Sequence, residues 1–435
     1  MMKREKLPIE AFDYYLPNEC IAYTPAKDRA ESKLLVWKEK IMAETNYAQI
    51  ADFIPANSTL LFNNSKVIAS RIFFEKNKIN NSASSIDSSN NESQIEVFCL
   101  EPSVNYSPVA MAMQATKKVE WICLVGGAKK WKEGLLEKKI MLQGKSFSVY
   151  AKKIAAIEGK FLIEFSWAED FHFSEIIEHI GNIPLPPYIQ RAANTEDKER
   201  YQTTYAKEEG SVAAPTAGLH FNEKIFESLA AKNIDCQFLS LHVGAGTFLP
   251  VKTAHIDDHP MHAEFFEVPK KVIELLLNKA AESAHQKNSG PVIAVGTTSL
   301  RAIESLYWLG VKLIQIKKSK EETMASVLEL KLLQWDAYEL QPFEISQQEA
   351  LTALLSWMAS NKMETLITST QLMIVPGYTF KLCNGLVTNF HQPKSTLLLI
   401  IAAITGAQWK NIYQHAIDQH YRFLSYGDGS LFWIN

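Results

Sequence analysis

The sequence predicts an α/β protein in which a small β-barrel domain is inserted into a large α/β domain. The chain has 435 residues, and single hydrophobic cores usually stop growing at about 250 to 300 residues, so two domains are expected. Short runs of branched and aromatic residues occupy residues 94–167, whereas helical and strand patterns alternate from residue 171 onward. Because the opening residues resemble the later pattern, we assign residues 1–66 and 181–435 to the α/β domain and residues 67–180 to the inserted domain.

The inserted domain is predicted from four runs in which branched and aromatic residues are punctuated by glycine and lysine. Repeated short strands of this kind are typical of a small β domain, and we expect a barrel. The runs are QIEVFCL (94–100), VEWICLVG (119–126), KSFSVYAKKI (145–154) and GKFLIEFSW (159–167).

The large domain is predicted from helices and strands that alternate along the rest of the chain. Such alternation indicates an α/β domain. The sequence predicts helices at residues 223–232, 270–285 and 347–360, and strands at residues 291–296 and 364–370.

Composition fits a cytoplasmic protein. Hydrophobic residues make up 47% of the chain and charged residues 21%, as in ordinary globular proteins. The start of the chain lacks the apolar run of a signal peptide, and the most apolar stretch, residues 397–404, is far shorter than the roughly 20 residues that span a bilayer. The five cysteines form no CxxC pair, which fits a reducing compartment. We therefore expect a cytoplasmic protein without membrane association. A monomer is expected as well, although none of these patterns bears on oligomeric state.

Charge is distributed unevenly along the chain. The net charge of -3 excludes a globally basic nucleic-acid coat protein. Residues 117–160 nevertheless hold 11 lysines against 4 glutamates, a local charge of +7 that leaves -10 on the rest of the chain. Charge runs usually do no more than keep a surface solvated, so this window alone does not indicate a partner.

A loop of small residues precedes the helix expected at residues 223–232. Residues 210–221 read GSVAAPTAGLHF, and the small residues, including Gly218, would let a ligand approach the backbone closely. A tight turn between core elements would use the same residues. Thr216 and His220 in this loop favour a ligand site.

A second glycine-rich segment, LHVGAGTFLPV (241–251), follows a predicted strand. It contains Gly244 and Gly246. Leu249 stands where the dinucleotide fingerprint GxGxxG requires a further glycine, so a nicotinamide cofactor is disfavoured. His242, taken alone, is more typical of a core histidine than of a catalyst.

The segment AVGTTSLRAIES (294–305) predicts a strand, a turn and a helix. Thr298 or Ser299 is expected to cap this helix while its free N–H groups face an anionic ligand. Capping alone is common, but Arg301, one turn into the helix, favours recognition of a carboxylate or phosphate.

His255, His259 and His262 lie among acidic residues in HIDDHPMHAE, a composition that suggests a metal site. A pair four residues apart would need a helix, which Pro260 opposes. His262 and Glu264 are better placed as acid and base groups, because residues two apart in a strand share a face.

The densest set of polar side chains lies near the C-terminus, in LVTNFHQPKSTLLL (386–399) and YRFLSYGDGSLF (421–432). Core packing does not require this mixture of amide, imidazole, phenol, guanidinium and carboxylate groups. The residues are Asn389, His391, Tyr421, Arg422, Tyr426 and Asp428.

Together these segments resemble the S-adenosylmethionine:tRNA ribosyltransferase-isomerase family of queuosine biosynthesis. The resemblance begins at YYLPNECIAYTPAKDRAESKLLV (14–36) and continues through IGNIPLPPYIQR (180–191), YQTTYA (201–206) and the loops above to the C-terminal YRFLSYGD. It covers most of the chain outside the β region. Several long motifs in the family's order make a chance similarity negligible.

The resemblance implies an α/β domain with an inserted β-barrel domain. It also implies a reaction in which the ribosyl moiety of S-adenosylmethionine is transferred and isomerised onto 7-aminomethyl-7-deazaguanine at the wobble position of tRNA, giving epoxyqueuosine, adenine and methionine. S-adenosylmethionine is then a consumed substrate, and neither a metal nor a redox cofactor is needed. The expected macromolecular partner is the anticodon stem-loop of tRNA.

This reaction needs a base, a proton donor for adenine and a clamp for the methionine carboxylate. We expect His220, His262 or Glu264 to transfer protons. The expected substrate-binding residues are Arg191, Thr216, Gly218, His242, Gly244, Gly246, Thr247, Thr297, Thr298, Arg301, Asn389, His391, Tyr421, Arg422, Tyr426 and Asp428.

Within this set, Arg301 with Thr297 and Thr298 is expected to bind the methionine carboxylate or a tRNA phosphate. The rings of Tyr421, Phe423 and Tyr426 either stack on unpaired anticodon bases or pack in the core. The residues expected to contact ribose or base are Asn389, His391 and Asp428.

Lys129, Lys130 and Lys132 flank Trp131 inside the basic window. A tRNA acceptor is a polyanion, and the rest of the chain is acidic, so some surface has to offset phosphate repulsion. We therefore expect these lysines to contact the tRNA backbone, with a merely solvated face as the alternative.

One motif departs from the family pattern. Where the family shows FNDTRVIPARL, this chain has FNNSKVIASRI (62–72), so Asn64 replaces an acid, Ser65 a threonine and Lys66 an arginine. If that acid is catalytic, the chain is a divergent paralogue that binds tRNA or a nucleoside without the transferase reaction. A metal-dependent hydrolase that uses the three histidines of HIDDHPMHAE is a third hypothesis.

Overall fold

The computed structural model describes residues 6–75, 94–107, 109–132, 134–242, 251, 253–284, 289–318 and 330–434. The chain divides into two compact units. The first comprises Met1–Ser65, Gln202–Ala206 and Pro215–Asn435, and the second comprises Lys66–Tyr201 and Lys207–Ala214.

Strands and helices are both distributed along the whole described chain. The described strands are β1 (Lys33–Lys38), β2 (Ile41–Asn46), β3 (Thr59–Asn63), β4 (Ser65–Val67), β5 (Arg71–Glu75), β6 (Gln94–Pro102), β7 (Lys118–Gly126), β8 (Leu136–Leu142), β9 (Lys145–Ile157), β10 (Lys160–Trp167), β11 (Gly181–Asn182), β12 (Glu208–Ser211), β13 (Asp235–His242), β14 (Glu264–Pro269), β15 (Val292–Val295), β16 (Thr365–Thr370), β17 (Gly385–Asn389) and β18 (Gly429–Trp433). The described helices are α1 (Val109–Gln114), α2 (Phe173–Ile180), α3 (Thr195–Arg200), α4 (Glu223–Ala231), α5 (Lys270–Ala284), α6 (Thr297–Lys318), α7 (Asp336–Leu340), α8 (Gln347–Ser360), α9 (Thr396–Thr405) and α10 (Trp409–Asp418). Within the described ranges, no helix combines the length and the apolarity that crossing a membrane requires.

The first unit is built on a mixed sheet with the strand order β16-β14-β13-β3-β15-β17-β18-β1-β2. Its centre is parallel, because β13 pairs with β3, β3 with β15, and β15 with β17 in that sense. The pairs β13–β14, β14–β16 and β17–β18 are antiparallel. Every residue of β3, β15 and β17 is buried, as expected for strands covered on both faces. The α/β class predicted from the sequence is confirmed.

Helix α6 is buried on all sides along residues 297–311. A helix of this kind packs against neighbours all round its circumference. Gly310 permits a close approach of α8, because a Cβ at this position would lie 2.0 Å from the carbonyl oxygen of Ala350. This packing fixes the position of α6, including its first turn, which directly follows β15.

The second unit contains an antiparallel sheet with the strand order β11-β5-β6-β7-β10-β9-β8. Buried residues alternate with more exposed ones along β6 and β7, the period-two pattern of a sheet with one face against a core. In that core, Phe173 of α2 lies against Trp121 and Phe165, with ring centroids 5.8 and 5.5 Å apart. The four strand runs predicted from the sequence are confirmed as β6, β7, β9 and β10.

Candidate active site

Several predicted site residues lie at the carboxyl edge of the parallel strands in the first unit. β13, β3, β15 and β17 run in the same direction, so their C-terminal ends share one edge of the sheet, where open α/β sheets bind ligands. His242 ends β13, and Asn389 ends β17. β14 is antiparallel to β13, and β18 is antiparallel to β17, so Glu264 at the start of β14 and Asp428 before β18 lie at the same edge.

Glu264 and Arg301 form a buried ion pair at this edge. Arg301 Nη1 donates a hydrogen bond to Glu264 Oε2 at 2.8 Å, and Arg301 Nε donates to the carbonyl oxygen of Leu372 at 2.9 Å. The side chains of Glu264 and Arg301 are 0% and 4% exposed. Arg301, which was expected to clamp a substrate carboxylate, is therefore already bound to a carboxylate of the protein.

His262 lies beside this pair. Its Nε2 atom is 3.8 Å from Glu264 Oε1, and 38% of the His262 side chain is exposed. The expectation that both residues share one face of a strand is wrong, because β14 begins at Glu264 and His262 precedes it. Their proximity instead comes from the segment that leads into the strand.

The helix predicted after AVG begins at Thr297. Leu300 N–H donates to the carbonyl oxygen of Gly296 at 3.0 Å, and Gly296 has φ +97°, a conformation that glycine adopts readily. Gly296 therefore precedes the helix. The expected cap at Thr298 or Ser299 is wrong, since both lie in the first turn. Ser299 Oγ is buried there without a hydrogen-bond partner among the described residues.

The loop of small residues contacts β17 through Thr216, whose Oγ1 donates to Asn389 Oδ1 at 2.8 Å. Thr216–His220 form a short 3-10 helix. The protein itself requires a glycine at position 218, because a Cβ on Gly218 would lie 1.9 Å from the hydroxyl of Tyr205. The close approach expected for a ligand is made here by a side chain of the same unit.

His220 and His391 are buried and neutral. Burial lowers the pKa of His220 to about 3, and burial also lowers the pKa of His391 to about 3. The His220 ring stacks on Tyr47 with centroids 4.2 Å apart, and His391 Nε2 lies 3.1 Å from Thr388 Oγ1. An efficient general base at neutral pH has a pKa near 7, so this environment argues against His220 as the base.

Asp428 organises the C-terminal turn. Its carboxylate accepts hydrogen bonds from the backbone N–H groups of Lys33 at 2.9 Å and Arg422 at 2.7 Å. Burial raises the pKa of Asp428, and these donors offset part of that effect. Arg422 Nη2 donates to the carbonyl oxygen of Tyr426 at 3.2 Å. Both residues expected to bind substrate therefore also hold their own loop together.

The rings of Tyr421 and Tyr426 are 1% and 2% exposed. Tyr421 packs against Phe390 with ring centroids 5.4 Å apart. Rings buried to this extent have no face available for an unpaired base. Of the two expectations for these tyrosines, the structure supports core packing.

The histidines considered as metal ligands do not converge. His255 forms an ion pair with Asp258 at 3.7 Å. In the part of the chain that the structure describes, no group of three or more His, Cys, Asp or Glu side chains could hold a metal ion. The described residues therefore offer no ligand set for the hypothesis of a metal-dependent hydrolase. His242 Nε2 lies 3.2 Å from Glu267 Oε1 on the neighbouring strand, a cross-strand contact typical of a structural histidine.

Four predicted residues belong to the second unit or lie outside the described residues. Gly244, Gly246 and Thr247 fall within residues 243–250, which are outside the described residues. Arg191 belongs to the second unit. There it forms a bidentate pair with Asp197, at 2.5 Å from Nη1 to Oδ2 and 2.8 Å from Nη2 to Oδ1.

The lysine cluster also belongs to the second unit. The three lysines, Lys129, Lys130 and Lys132, are exposed. Trp131 between them is buried, and its Nε1 donates to the carbonyl oxygen of Gly134 at 3.2 Å. The tryptophan thus anchors the turn, and only the lysines are presented to solvent.

Sequence reasoning missed two buried polar residues, of which Asn63 lies at this edge and Glu304 lies within α6. Asn63, the last residue of β3, accepts a hydrogen bond from Leu241 N–H at 3.2 Å, and its Nδ2 is buried without a partner among the described residues. Glu304, one turn after Arg301, is fully buried. Its carboxylate accepts hydrogen bonds from Tyr378 Oη, Lys381 N, Leu382 N and Cys383 N. The motifs FNN and LRAIE contained both residues but gave no sign of burial.

The fold and the site define an α/β enzyme whose polar side chains meet at the carboxyl edge of parallel strands. Residues 9–432 match the family described as queuosine biosynthesis protein. Relatives named S-adenosylmethionine:tRNA ribosyltransferase-isomerase include one from Halothermothrix orenii, 34% identical over 98% of this chain and 99% of its own. Another, from Dechloromonas aromatica, is 33% identical over 98% of this chain and 96% of its own.

A solved structure is also similar. It is the S-adenosylmethionine tRNA ribosyltransferase of Thermotoga maritima, 22% identical, with 97% of this chain and 99% of that chain covered at a TM-score of 0.42. On the family match and the two relatives above, the chain belongs to the S-adenosylmethionine:tRNA ribosyltransferase-isomerase family of queuosine biosynthesis. The family identified from the sequence motifs is confirmed.

Proposed function

We propose that this enzyme transfers and isomerises the ribosyl moiety of S-adenosylmethionine onto 7-aminomethyl-7-deazaguanine at the wobble position of tRNA. The products are epoxyqueuosine in tRNA, adenine and methionine. The observation that carries the proposal is the family match across residues 9–432, supported by relatives at 34% and 33% identity over 98% of the chain. The polar edge of the first unit offers groups for the methionine carboxylate and for the ribose of this substrate.

The first turn of α6 is suited to the methionine carboxylate. The N–H groups at the start of a helix have no partner within the helix and lie at the positive end of its dipole, so they favour an anion. Thr297 and Thr298 lie in this turn, and Ser299 Oγ is buried without a described partner. Because Arg301 is paired with Glu264, the backbone and hydroxyl groups of this turn are the better candidates for the clamp.

Asn389 is suited to a ribose hydroxyl. Its Oδ1 accepts from Thr216, whereas its Nδ2 lies 3.5 Å from the carbonyl oxygens of both Gly427 and Asp428. Hydrogen bonds of that length are weak. The amide nitrogen can therefore donate to a ligand at little cost, and the neutral His391 lies two residues further along the same segment.

S-adenosylmethionine is consumed as a substrate in the proposed reaction, which includes no further cofactor. The partner is the anticodon stem-loop of tRNA, met by a cytoplasmic monomer. The antiparallel sheet of the second unit supports a β-barrel domain, which interrupts the sequence of the α/β domain after Ser65.

The decisive test supplies S-adenosylmethionine and tRNA that carries 7-aminomethyl-7-deazaguanine. We expect mass spectrometry of the digested tRNA to detect epoxyqueuosine nucleoside, and chromatography to detect adenine and methionine in equal amounts. tRNA with an unmodified guanine serves as the control and should remain unchanged. Binding of the modified tRNA without any product would contradict the proposal and favour a paralogue that only binds.

Asn64 is the best support for such a paralogue. Its Oδ1 accepts a hydrogen bond from Ser240 Oγ at 2.8 Å, a contact that an aspartate in its place would also make. We therefore expect Asn64→Asp to change turnover by less than about twofold. General acid and base groups contribute about 10²- to 10⁴-fold, so a rise of that size in initial rates would show instead that the replaced acid is catalytic.

A further inference from the structure

A continuous set of buried polar contacts ends at His262. Arg301 Nε is bound to Leu372, Arg301 Nη1 to Glu264 Oε2, and Glu264 Oε1 faces His262 Nε2 at 3.8 Å. Glu264 thus contacts Arg301 through Oε2 and His262 through Oε1. His262 Nε2 is itself buried, although 38% of the side chain is exposed, so the ring connects the protein interior to the surface of the edge.

Arg301 is held in place by fully buried groups. Ser305 Oγ lies 2.6 Å from the carbonyl oxygen of Arg301 and 2.8 Å from Thr370 Oγ1. Thr370 Oγ1 also accepts from the N–H of Leu372 at 3.0 Å, and Thr370 pairs with Glu264 across β14 and β16. The guanidinium and the carboxylate are therefore tied to the same short stretch of sheet.

The backbone that leads to His262 is fixed by two glutamines. Met261 N–H donates to Gln334 Oε1 at 3.0 Å, and Gln334 Nε2 donates to the carbonyl oxygen of His259 at 2.8 Å. Gln371 Nε2 donates to the carbonyl oxygen of Met261 at 2.9 Å. A segment without regular secondary structure is thus clamped from both sides directly before His262.

From these contacts we propose that His262 is the catalytic residue for proton transfer and that Glu264 and Arg301 are its positioning residues. This inference rests on the proposed function. His262 takes a proton from C5′, the ribose carbon beside the sulfonium of S-adenosylmethionine, and the electron pair of the broken C–H bond stays on that carbon. When the bond between C1′ and adenine breaks, its electron pair leaves with adenine, which takes the proton from the imidazolium, and the ring oxygen stabilises the cation left at C1′. Glu264 stabilises the imidazolium formed in between, and Arg301 compensates the buried carboxylate.

Removal and rescue of the imidazole test the catalytic role. His262→Ala should lower kcat by about 100-fold or more, and added imidazole should restore part of the activity. His255→Ala removes an exposed histidine of the same segment and should leave kcat unchanged. Full activity of His262→Ala, or no response to imidazole over a concentration series, would overturn the catalytic role.

The positioning role is tested by variants of its two members. Glu264→Gln and Arg301→Met should lower kcat with little change in KM for S-adenosylmethionine, and Arg301→Lys, which keeps the charge, should retain more kcat than Arg301→Met. Glu264→Gln should also change the dependence of kcat on pH. Variants that only lose thermal stability, with the wild-type pH profile, would show that the pair is merely structural.

A titration separates failure of this inference from failure of the proposed function. Among the described residues, Glu264 on β14 and His259 on the preceding segment interact electrostatically with His262, and Arg301 on α6 is paired with Glu264. Because a nearby carboxylate favours the imidazolium, the pKa of His262 measured by NMR should be about one pH unit lower in Glu264→Gln than in the wild type. This measurement does not need turnover. Equal titrations would overturn the positioning role even in an enzyme that makes epoxyqueuosine, and an enzyme without product would overturn the proposed function alone.

Discussion

At the scale of single residues, burial decides which polar groups at the carboxyl edge can exchange protons at neutral pH. Desolvation disfavours an imidazolium, so His220 and His391, each with a pKa of about 3, stay neutral and are weak bases. His262 differs because 38% of its side chain is exposed and a carboxylate lies 3.8 Å away. All three residues are histidines, and their different burial and neighbours give them different roles.

The buried histidines also make stability depend on pH. Between a folded pKa of about 3 and an unfolded pKa of 6.5 the unfolded chain binds more protons, so stability falls as pH falls through this window. For His391 the loss between pH 7 and pH 5 is about 2 kcal/mol. We expect His391→Gln to reduce the difference in free energy of unfolding between pH 7 and pH 5, measured in urea, by about that amount. His179→Gln, at an exposed position, is the control, and an unchanged difference in His391→Gln would contradict the assignment of a buried neutral histidine.

Residue types at the site were predictable from the sequence, but their partners were not. A strand pattern that ends at Asn389 or begins at Glu264 indicates that a polar group stands at a strand end. Nothing in local spacing reveals that Arg301 binds Glu264, which is 37 residues earlier in the chain. Tyr421 illustrates the same limit, since its ring is buried against Phe390, a contact that depends on tertiary packing.

At the scale of elements, local patterns were sufficient where a helix or strand is long and regular. The helices expected at 223–232 and 347–360 are observed as Glu223–Ala231 and Gln347–Ser360. Each has an Asn or Ser side chain that accepts a hydrogen bond from the first turn, a start signal that lies in the sequence itself. The start of α6 was harder to predict because a glycine, rather than the neighbouring hydroxyl residues, precedes it.

Close packing of α6 against α8 gives a prediction at this scale. In an exposed helix Gly→Ala stabilises by about 1 kcal/mol. At Gly310 the new methyl group would lie 2.0 Å from the carbonyl oxygen of Ala350, so the two helices would have to separate. We expect Gly310→Ala to lower the free energy of unfolding in urea by about 1 to 3 kcal/mol. Thr352→Ala on the exposed side of α8 should be neutral or slightly stabilising, and a Gly310→Ala protein as stable as the wild type would show that the contact is loose.

At the scale of the whole molecule, the two units differ in charge and in fold. Apart from Arg191, the groups expected to act on S-adenosylmethionine lie in the first unit, whereas the basic window of residues 117–160, with +7 against -10 elsewhere, lies in the second. Alternation of strand and helix patterns predicted the α/β class of the first unit, and repeated short strands predicted the sheet of the second. It did not predict the order of strands in either sheet, because pairings such as β1 with β18 join residues at opposite ends of the chain.

The exposed lysines of the second unit provide the last prediction. Phosphate contacts release counterions, so the affinity of tRNA depends on salt in proportion to the number of phosphates that the protein neutralises. Replacing Lys129, Lys130 and Lys132 by Glu should weaken tRNA binding and reduce the slope of log affinity against log salt by roughly 0.7 to 0.9 for each phosphate no longer neutralised.

The matched control replaces Lys224, Lys271 and Lys410 by Glu, with the same change in net charge. These three lysines are exposed in the first unit. Affinity for S-adenosylmethionine should be unchanged in both variants, which verifies folding. If both triple variants shift the slope equally, net charge rather than a local interaction is responsible, and if the lysine-cluster variant keeps the wild-type slope, the tRNA backbone binds elsewhere.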